Sequence, residues 1–384
     1  MSDAPRPRIE RRALDEHPRG TVYLPSRAGR TPSRRATSRK DRQGRIAIVI
    51  PVLDDWQAFE RLLGEISSIP ATLQLGFVII AIDDGSSERF APHALALPGG
   101  AIRSVEILQL ALNLGHQRAI AVGLVEAARR DDLDAVLVMD GDGEDRPTDL
   151  PLLLETARGN PGRIVVAERA ERSEGVLFRT GYRIYQKLFS LLTGRRINFG
   201  NFSFLPIDCV RRLVLMPELW NNLPAAILRS RIGCVATATS RGSRYAACSR
   251  MNWVSLVAHG LSALSVYIDI VFVRMLFGAA ILAGVTLAGI AAAVAIRLLT
   301  PLAIPGWTTT VVGVLSLLLA QIVMMVVAML LLVLAGRNSR PIVPMADSSI
   351  FVAARQRYEL QEPAIAGPNR RTRLNDSLLS GRRA

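Results

Sequence analysis

The sequence predicts an α/β domain on a parallel sheet, followed by two membrane-spanning helices. Three observations carry this. Short apolar runs recur from Arg45 onward, separated by segments of helical pattern. Acidic residues cluster just after several of those runs. Two long segments near the C-terminal end are almost free of charge.

The elements follow in order. RIAIVIPV (45–52) is a strand, and Trp56 to Ser68 has a helical pattern. Strands are expected again at 76–83 (GFVIIAID) and 105–110 (VEILQL), with a helix from His116 to Arg129. Two further strands fit 134–140 (DAVLVMD) and 163–169 (RIVVAER). Apolar runs of this length, alternating with helices, indicate a parallel sheet buried on both faces. FRTGYRIYQKLFSLL (178–192) reads as an amphipathic helix, with Tyr182, Tyr185, Phe189 and Leu192 on one side and Arg179, Arg183 and Lys187 four residues apart on another. Arg241, Arg244 and Arg250 lead into MNWVSLVAHGLSALSVYIDI, read either as an interfacial approach to the membrane or as a packed helix.

Leu276 to Leu299 carries one charge, Arg297, and Thr308 to Ala335 carries none. At ~1.5 Å per residue the first spans about 36 Å, against a bilayer core of about 30 Å. TPLAIPGW, broken by Pro301 and Pro305, joins the two as a hairpin. Arg274 precedes the hairpin, Arg337 and Arg340 follow it, and the loop holds no Lys or Arg, so both ends are expected in the cytoplasm. Arg297 lies near the loop, where it can reach the interface and avoid the ~2.5–3.5 kcal/mol cost of the bilayer centre. The first forty residues hold no apolar segment of the signal-peptide kind.

The domain boundaries expected are a basic tail (1–44), an α/β domain (45–245), juxtamembrane helices (246–275), the hairpin (276–335) and a cytoplasmic C-terminal tail (336–384). Residues 1–45 hold thirteen Lys/Arg against five Asp/Glu, much of the chain's net charge of +14. Such a Pro-, Ser- and Arg-rich segment is expected to be disordered, and is suited to anionic lipid or to plain solvation. Nucleic acid is not an expected partner of a membrane protein lacking a basic-aromatic fold. Cys209, Cys234 and Cys248 form no CxxC and read as ordinary thiols. There is no HExxH, so no zinc site is expected.

In α/β sheets ligands sit beyond the carboxyl ends of the strands. Asp54 and Asp55 fall there after the first strand, Asp83 and Asp84 after the second, Asp140 and Asp142 after the fourth. VLVMDGDGEDRPTDL crowds Asp140, Asp142, Glu144, Asp145 and Asp149 together. As an EF-hand loop it fails, with Asp145 in place of the turn glycine and Pro151 in place of the closing Glu. Neither GxxxxGK[ST] nor a GxGxxG after the first strand is present. What remains is a divalent cation on strand-end carboxylates, Mg2+ or Mn2+, with open positions for phosphate oxygens.

IVIPVLDD, IDDGSSE, LNLGHQRA, VLVMDGDGEDRP and VVAERAERSEG, in that order, resemble family 2 glycosyltransferases of GT-A fold. Over about Ile46 to Ala335 the chain is most similar to the polyprenyl-phosphate group, the dolichol-phosphate mannose synthases and bactoprenol glucosyltransferases. The resemblance implies inverting, metal-dependent transfer of a sugar from a nucleotide sugar to a polyprenyl phosphate of undecaprenyl or dolichyl type. It implies a cytoplasmic-membrane protein with the catalytic domain and both termini in the cytoplasm. It puts Pro51, Val52, Asp55, Asp83, Asp84, Asn113, Gly115, Asp140 and Gly141 on the nucleotide sugar, and Asp140, Asp142 and Glu144 on the metal, with Asp140 and Asp142 catalytic. Arg169, Arg172, Arg179 and Arg183 would take the acceptor phosphate, an anionic nucleophile that strictly needs no protein base.

Two departures stand out. Where the family has D-A-D-L-Q, this chain has D-G-D-G-E, so Glu144 adds a charge that tightens the cation or moves its coordination; where the family has GDFR, it has GNFSF, with Asn201 in place of an acid. A processive polysaccharide synthase is a second reading, but QxxRW and further membrane helices are missing. A non-catalytic membrane scaffold is a third. Self-association, the sugar, the base and the lipid length are left open.

Overall fold

A computed structural model describes residues 44–69, 75–91, 100–169, 176–245, 253–302 and 304–359. The basic tail, Arg172, Cys248, Arg250 and the last 25 residues lie outside these, as do the side chains of Arg169, Arg179, Tyr182 and Arg183.

β1 (Gly44–Val52), β2 (Leu75–Asp83), β3 (Ile102–Leu110), β4 (Ala135–Val138), β5 (Ile164–Arg169), β6 (Phe199–Pro206), β7 (Cys234–Thr239) and β8 (Val352–Glu359) form one sheet. Its order is β7-β5-β6-β4-β1-β2-β3-β8. β1 pairs in parallel with β2 and β4, β2 with β3, and β5 with β7. β6 runs antiparallel to β4 and β5, and β8 antiparallel to β3. The sheet is thus mixed where the sequence predicts a parallel one. β6 and β8 explain the difference. VAARQRYE in β8 exposes most of its residues, as an edge strand can, so it lacks the apolar run that marks a central strand.

The period of two along β1 divides the core. Ile46, Ile48 and Ile50 pack with Phe59, Leu62 and Leu63 of α1 (Trp56–Ser67) and Leu150, Leu153 and Leu154 of α3 (Leu150–Gly159). Ala47 and Val49 face α2 (His116–Ala128), whose Ala119, Ile120 and Val122 are buried. Gly123 lets α2 approach the sheet, since a Cβ there would lie 2.5 Å from Val49 Cγ1.

α4 (Val176–Thr193) packs against α7 (Trp253–Ser265) and α8 (Ile268–Leu299). Phe189, Ala263, Val266 and Tyr267 are buried together at this junction. α8 and α9 (Trp307–Asn338) are each 32 residues long, with mean hydropathy 2.4 and 3.0 in their most apolar windows. They are long and apolar enough to cross a membrane, and they pack side by side with their Leu, Ile, Val and Met side chains facing outward.

Both ends of this hairpin are tied to the sheet domain. Arg229, on α6 (Leu223–Arg229), donates from Nε to Glu218 at 2.9 Å and from Nη1 and Nη2 to Asp269 of α8 at 3.0 and 3.2 Å. The Arg274 guanidinium donates to the Leu191 carbonyl at the end of α4. After α9 the chain returns through α10 (Pro344–Asp347), where Met345 N–H donates to the Val214 carbonyl at 2.9 Å. The Phe351 ring then sits 5.4 Å from that of Trp220, and β8 closes the sheet edge. Part of the expected C-terminal tail is therefore a strand of the domain.

Phe351→Ala is expected to cost about 1–3 kcal/mol, less than the ~3–5 of a fully buried Phe because Phe351 is half-buried. A chain ended after residue 343 is expected to melt lower still and to aggregate through the bared β3 edge, checked by thermal denaturation and light scattering in detergent.

Candidate active site

The carboxyl ends of β1 and β4 open onto a cavity of about 950 Å³. Pro51, Val52 and Asp55 line it from the end of β1, Gly115, His116 and Gln117 from the start of α2, and Asp140, Gly141, Asp142 and Glu144 from the turn after β4. Asn201 of β6, Arg241 and Arg244 beyond β7, and Gly260 of α7 complete its wall.

Each strand-end acid is neutralised differently. Asp83 and Asp84 are 2% and 3% exposed and line no part of the cavity. The Asp83 carboxylate accepts from the Ser86 N–H at 2.8 Å. Asp84 accepts from the Leu114 N–H at 2.7 Å and the Gly115 N–H at 3.0 Å, so it pins the NLG loop to the end of β2. Burial pushes its pKa up, beyond what those two hydrogen bonds offset. Asn113 is exposed and also stands outside the cavity wall.

In the turn after β4, Asp145 accepts from the Asp140 N–H at 2.9 Å and Asp142 from the Glu144 N–H at 3.0 Å. Asp140 Oδ1 lies 3.2 Å from His116 Nε2. Desolvation disfavours the imidazolium, but the carboxylates of Asp140, Asp145 and Asp84 outweigh it and raise the His116 pKa. Asp142 is raised by burial and by the charges of Asp140 and Glu144, against the Glu144 N–H and Arg244. Glu144 behaves oppositely. Burial would raise it, yet hydrogen bonds from Arg241 Nη2 and Arg244 Nε, both at 2.6 Å, hold it below the usual carboxylate range. Arg244 Nε is also 3.2 Å from Asp142 Oδ2.

A second chain of contacts fixes the facing wall. The Leu223 N–H donates to Gln117 Oε1 at 2.8 Å, and Gln117 Nε2 donates to Asn201 Oδ1 at 2.9 Å. That orients the Asn201 amide so that its Nδ2 meets His116 Nε2 at 2.9 Å. Asn222 accepts from the Ala225 N–H at 3.0 Å and caps α6 beside the same wall.

The structure brings Asp140, Asp142 and Glu144 to one turn, with Pro51, Val52, Asp55, Gly115 and Gly141 around them, and leaves Asp83, Asp84 and Asn113 outside the cavity wall. The pairing of Glu144 with Arg241 and Arg244, 97 and 100 residues away, is not foreseen, since these arginines read from the sequence as leading into either an interfacial approach to the membrane or a packed helix. The only local signal is the extra charge at Glu144, which calls for a counter-charge without naming it. Nor is the Gln117–Asn201–His116 chain foreseen.

A mixed sheet of this order, carrying its acids at the carboxyl edge, has the architecture of a GT-A domain, and the two helices that follow are long and apolar enough to form a membrane hairpin. Residues 47–212 match the family model described as glycosyl transferase family 2, and the chain carries a domain of that family. A dodecaprenyl-phosphate galacturonate synthase of Rhizobium johnstonii is 23% identical over 198 residues, 50% of this chain and 57% of that protein. An undecaprenyl-phosphate 4-deoxy-4-formamido-L-arabinose transferase of Klebsiella pneumoniae is 27% identical over 193 residues, 46% of this chain and 56% of that protein. Both matches span less than two thirds of the relative's length. Among solved structures, glucosyl-3-phosphoglycerate synthase of Mycobacterium tuberculosis, in complex with Mn2+, UDP-glucose and phosphoglyceric acid, is 14% identical with a TM-score of 0.42, covering 59% of this chain and 80% of that one.

Asp84→Ala would leave two backbone N–H groups without their acceptor. It is expected to cost about 2–4 kcal/mol in stability and to loosen residues 112–116. Asp84→Asn keeps an acceptor oxygen and is expected to cost less. Chemical denaturation and hydrogen exchange of the loop check both.

Proposed function

We propose that this protein transfers a sugar, with inversion, from a nucleotide sugar to a polyprenyl phosphate at the cytoplasmic face of a membrane. The observation that carries the reading is the meeting of Asp140 and Asp142 in a large strand-end cavity, on a domain tied to a two-helix apolar hairpin. The two named relatives, both transferases or synthases of polyprenyl-phosphate sugars, support the acceptor class.

A divalent cation, Mg2+ or Mn2+, fits the acidic turn. Asp140 and Asp142 line the cavity from one turn, and burial with the neighbouring charges of Asp140 and Glu144 raises the Asp142 pKa, a repulsion that a cation between carboxylates relieves. When bound, the cation would stabilise the charge that develops on the leaving diphosphate. Asp140 and Asp142 would hold it. Pro51, Val52 and Asp55 would bound the base and ribose, with Asp83 and Asp84 shaping that end from beneath. Gly115 and Gly141, which line the cavity, would bring backbone close to the donor, whereas Asn113 stands outside the wall.

A phosphate oxygen of the acceptor attacks the anomeric carbon as the bond to the diphosphate oxygen breaks. The nucleophile is already anionic, so no proton has to be removed from it. Arg169, Arg172, Arg179 and Arg183 are assigned to the acceptor phosphate through the sequence pattern, as bidentate guanidinium partners. The backbone of α4, which carries Arg179 and Arg183, lies against α7 and α8 beside the hairpin. Both chain ends are assigned to the cytoplasm from Arg274, Arg337 and Arg340.

Asp142→Asn is expected to abolish transfer while leaving the melting temperature near that of the parent chain, and added Mg2+ or Mn2+ should not restore activity. Full activity of this variant would overturn the assignment. Arg179→Ala and Arg183→Ala are each expected to lower kcat/KM for lipid phosphate by about 10- to 150-fold, the worth of one charge-assisted phosphate contact. Donor affinity should hardly change. Titration with nucleotide sugar and steady-state kinetics over lipid phosphate separate the two effects, and a collapse of donor binding with an unchanged acceptor response would reverse the site assignment.

A further inference from the structure

Glu144 stands where the family resemblance implies a cation ligand, yet its contacts run in another direction. Its Oε1 accepts from both Arg241 Nη2 and Arg244 Nε at 2.6 Å, in a residue only 7% exposed. Among the described residues, no three His, Cys, Asp or Glu side chains converge as a cation's ligand set.

The backbone reinforces the pairing. The Gly242 N–H donates to the Glu144 carbonyl and the Tyr245 N–H to the Asp142 carbonyl, each at 2.9 Å, so residues 242–245 lie along the acidic turn like a short strand. The contact is close enough to exclude side chains. A Cβ on Gly242 would lie 2.2 Å from the Gly143 carbonyl oxygen. A Cβ on Gly143, which has φ +87°, would lie 2.8 Å from the Tyr245 ring. Tyr245 is held in turn, its hydroxyl donating to Glu65 at 2.8 Å and its ring lying 4.4 Å beneath the Arg61 guanidinium.

For Glu144 to serve as a ligand, a divalent cation would have to sit beside the guanidinium groups of Arg241 and Arg244, 23% and 28% exposed in a partly buried wall, where like charges repel strongly. Staying with the arginines leaves Asp140 and Asp142 facing the cavity, enough for a cation that takes its other ligands from phosphate oxygens and water.

We propose that Glu144 is a positioning residue. It anchors Arg241 and Arg244, holds residues 241–245 across the acidic turn, and sets two fixed positive charges in the cavity wall, while the cation is left to Asp140 and Asp142. This rests on the cation-assisted function proposed above. The extra charge that distinguishes this chain's D-G-D-G-E from D-A-D-L-Q is then matched by two arginines and does not raise the cation's ligand charge.

The test compares the full chain in detergent with Glu144→Met, which has no oxygen to offer a cation, with the Arg241→Gln/Arg244→Gln pair, and with Asp142→Asn. Mn2+ binding is read by electron paramagnetic resonance, and hydrogen exchange is followed at residues 241–245. Glu144→Met, which takes the counter-charge from two guanidinium groups near the cation, is expected to weaken Mn2+ binding, but less than Asp142→Asn, which removes a ligand charge. Exchange at 241–245 is expected to rise alike in Glu144→Met and in the arginine pair. Should Glu144→Met not fold, the triple variant Glu144→Met/Arg241→Gln/Arg244→Gln, which removes the buried acid together with both of its cationic partners, takes its place and is expected to keep Mn2+ affinity. Loss of Mn2+ in Glu144→Met or in the triple variant equal to that in Asp142→Asn, or exchange at 241–245 that stays at the parent's level in Glu144→Met, overturns the proposal. A parent chain that binds no Mn2+ would contradict the proposed function, and the exchange measurements would still decide whether Glu144 anchors the loop.

Discussion

Like charges cannot be gathered in a half-buried place unless each is answered, and this constraint shapes the carboxyl edge of the sheet. Asp83, Asp84, Asp140, Asp142, Glu144 and Asp145 all stand at or just past the carboxyl ends of β2 and β4, the two strands that flank β1. Backbone N–H groups answer Asp83, Asp84 and Asp145. Two arginines answer Glu144, and His116 faces Asp140. Asp142, with one backbone N–H and a shared arginine, keeps a raised pKa beside the charges of Asp140 and Glu144, and it faces the cavity. Loop positions, the conformation of Gly143 and the chain's path beyond β7 all follow from how these charges are met.

The second organising feature is the mechanical link between the domain and its apolar hairpin. Arg229 joins the cavity-side helix α6 to the first turn of α8 through a fork on Asp269, and Arg274 joins α8 to the end of α4. The chain then returns to add β8 to the sheet. A hairpin fastened at both ends cannot swing freely, so the cavity keeps a fixed relation to the apolar segment. For a reaction joining a water-soluble donor to a lipid-borne acceptor, that is the geometry required.

Much of this was legible in the sequence. The strands of the central sheet are continuous apolar runs because both their faces are covered, and the acids that follow them mark the ligand edge. The hairpin shows itself by length and lack of charge. What stayed hidden has a physical cause in each instance. β8 is an edge strand whose residues mostly face solvent, so its polar composition looks like a tail. β6 interleaves Asn201 and Ser203 with Phe202 and Phe204 and reads as a motif before it reads as a strand. The pairing of Glu144 with Arg241 and Arg244 depends on tertiary contact across about a hundred residues, which no local spacing records. The same holds for the Gln117 amide, whose partners lie on β6 and at the start of α6.

The central claim is that the acidic cavity and the apolar hairpin serve one reaction. The most direct measurement supplies the purified full chain, in lipid nanodiscs, with a panel of radiolabelled nucleotide sugars and undecaprenyl phosphate. Label that partitions into organic solvent is then counted, with and without a chelator. One donor is expected to give organic-soluble label that requires both the lipid phosphate and Mg2+ or Mn2+. Label that appears without lipid phosphate, accumulates in a water-soluble polymer, or survives the chelator undiminished would contradict the account.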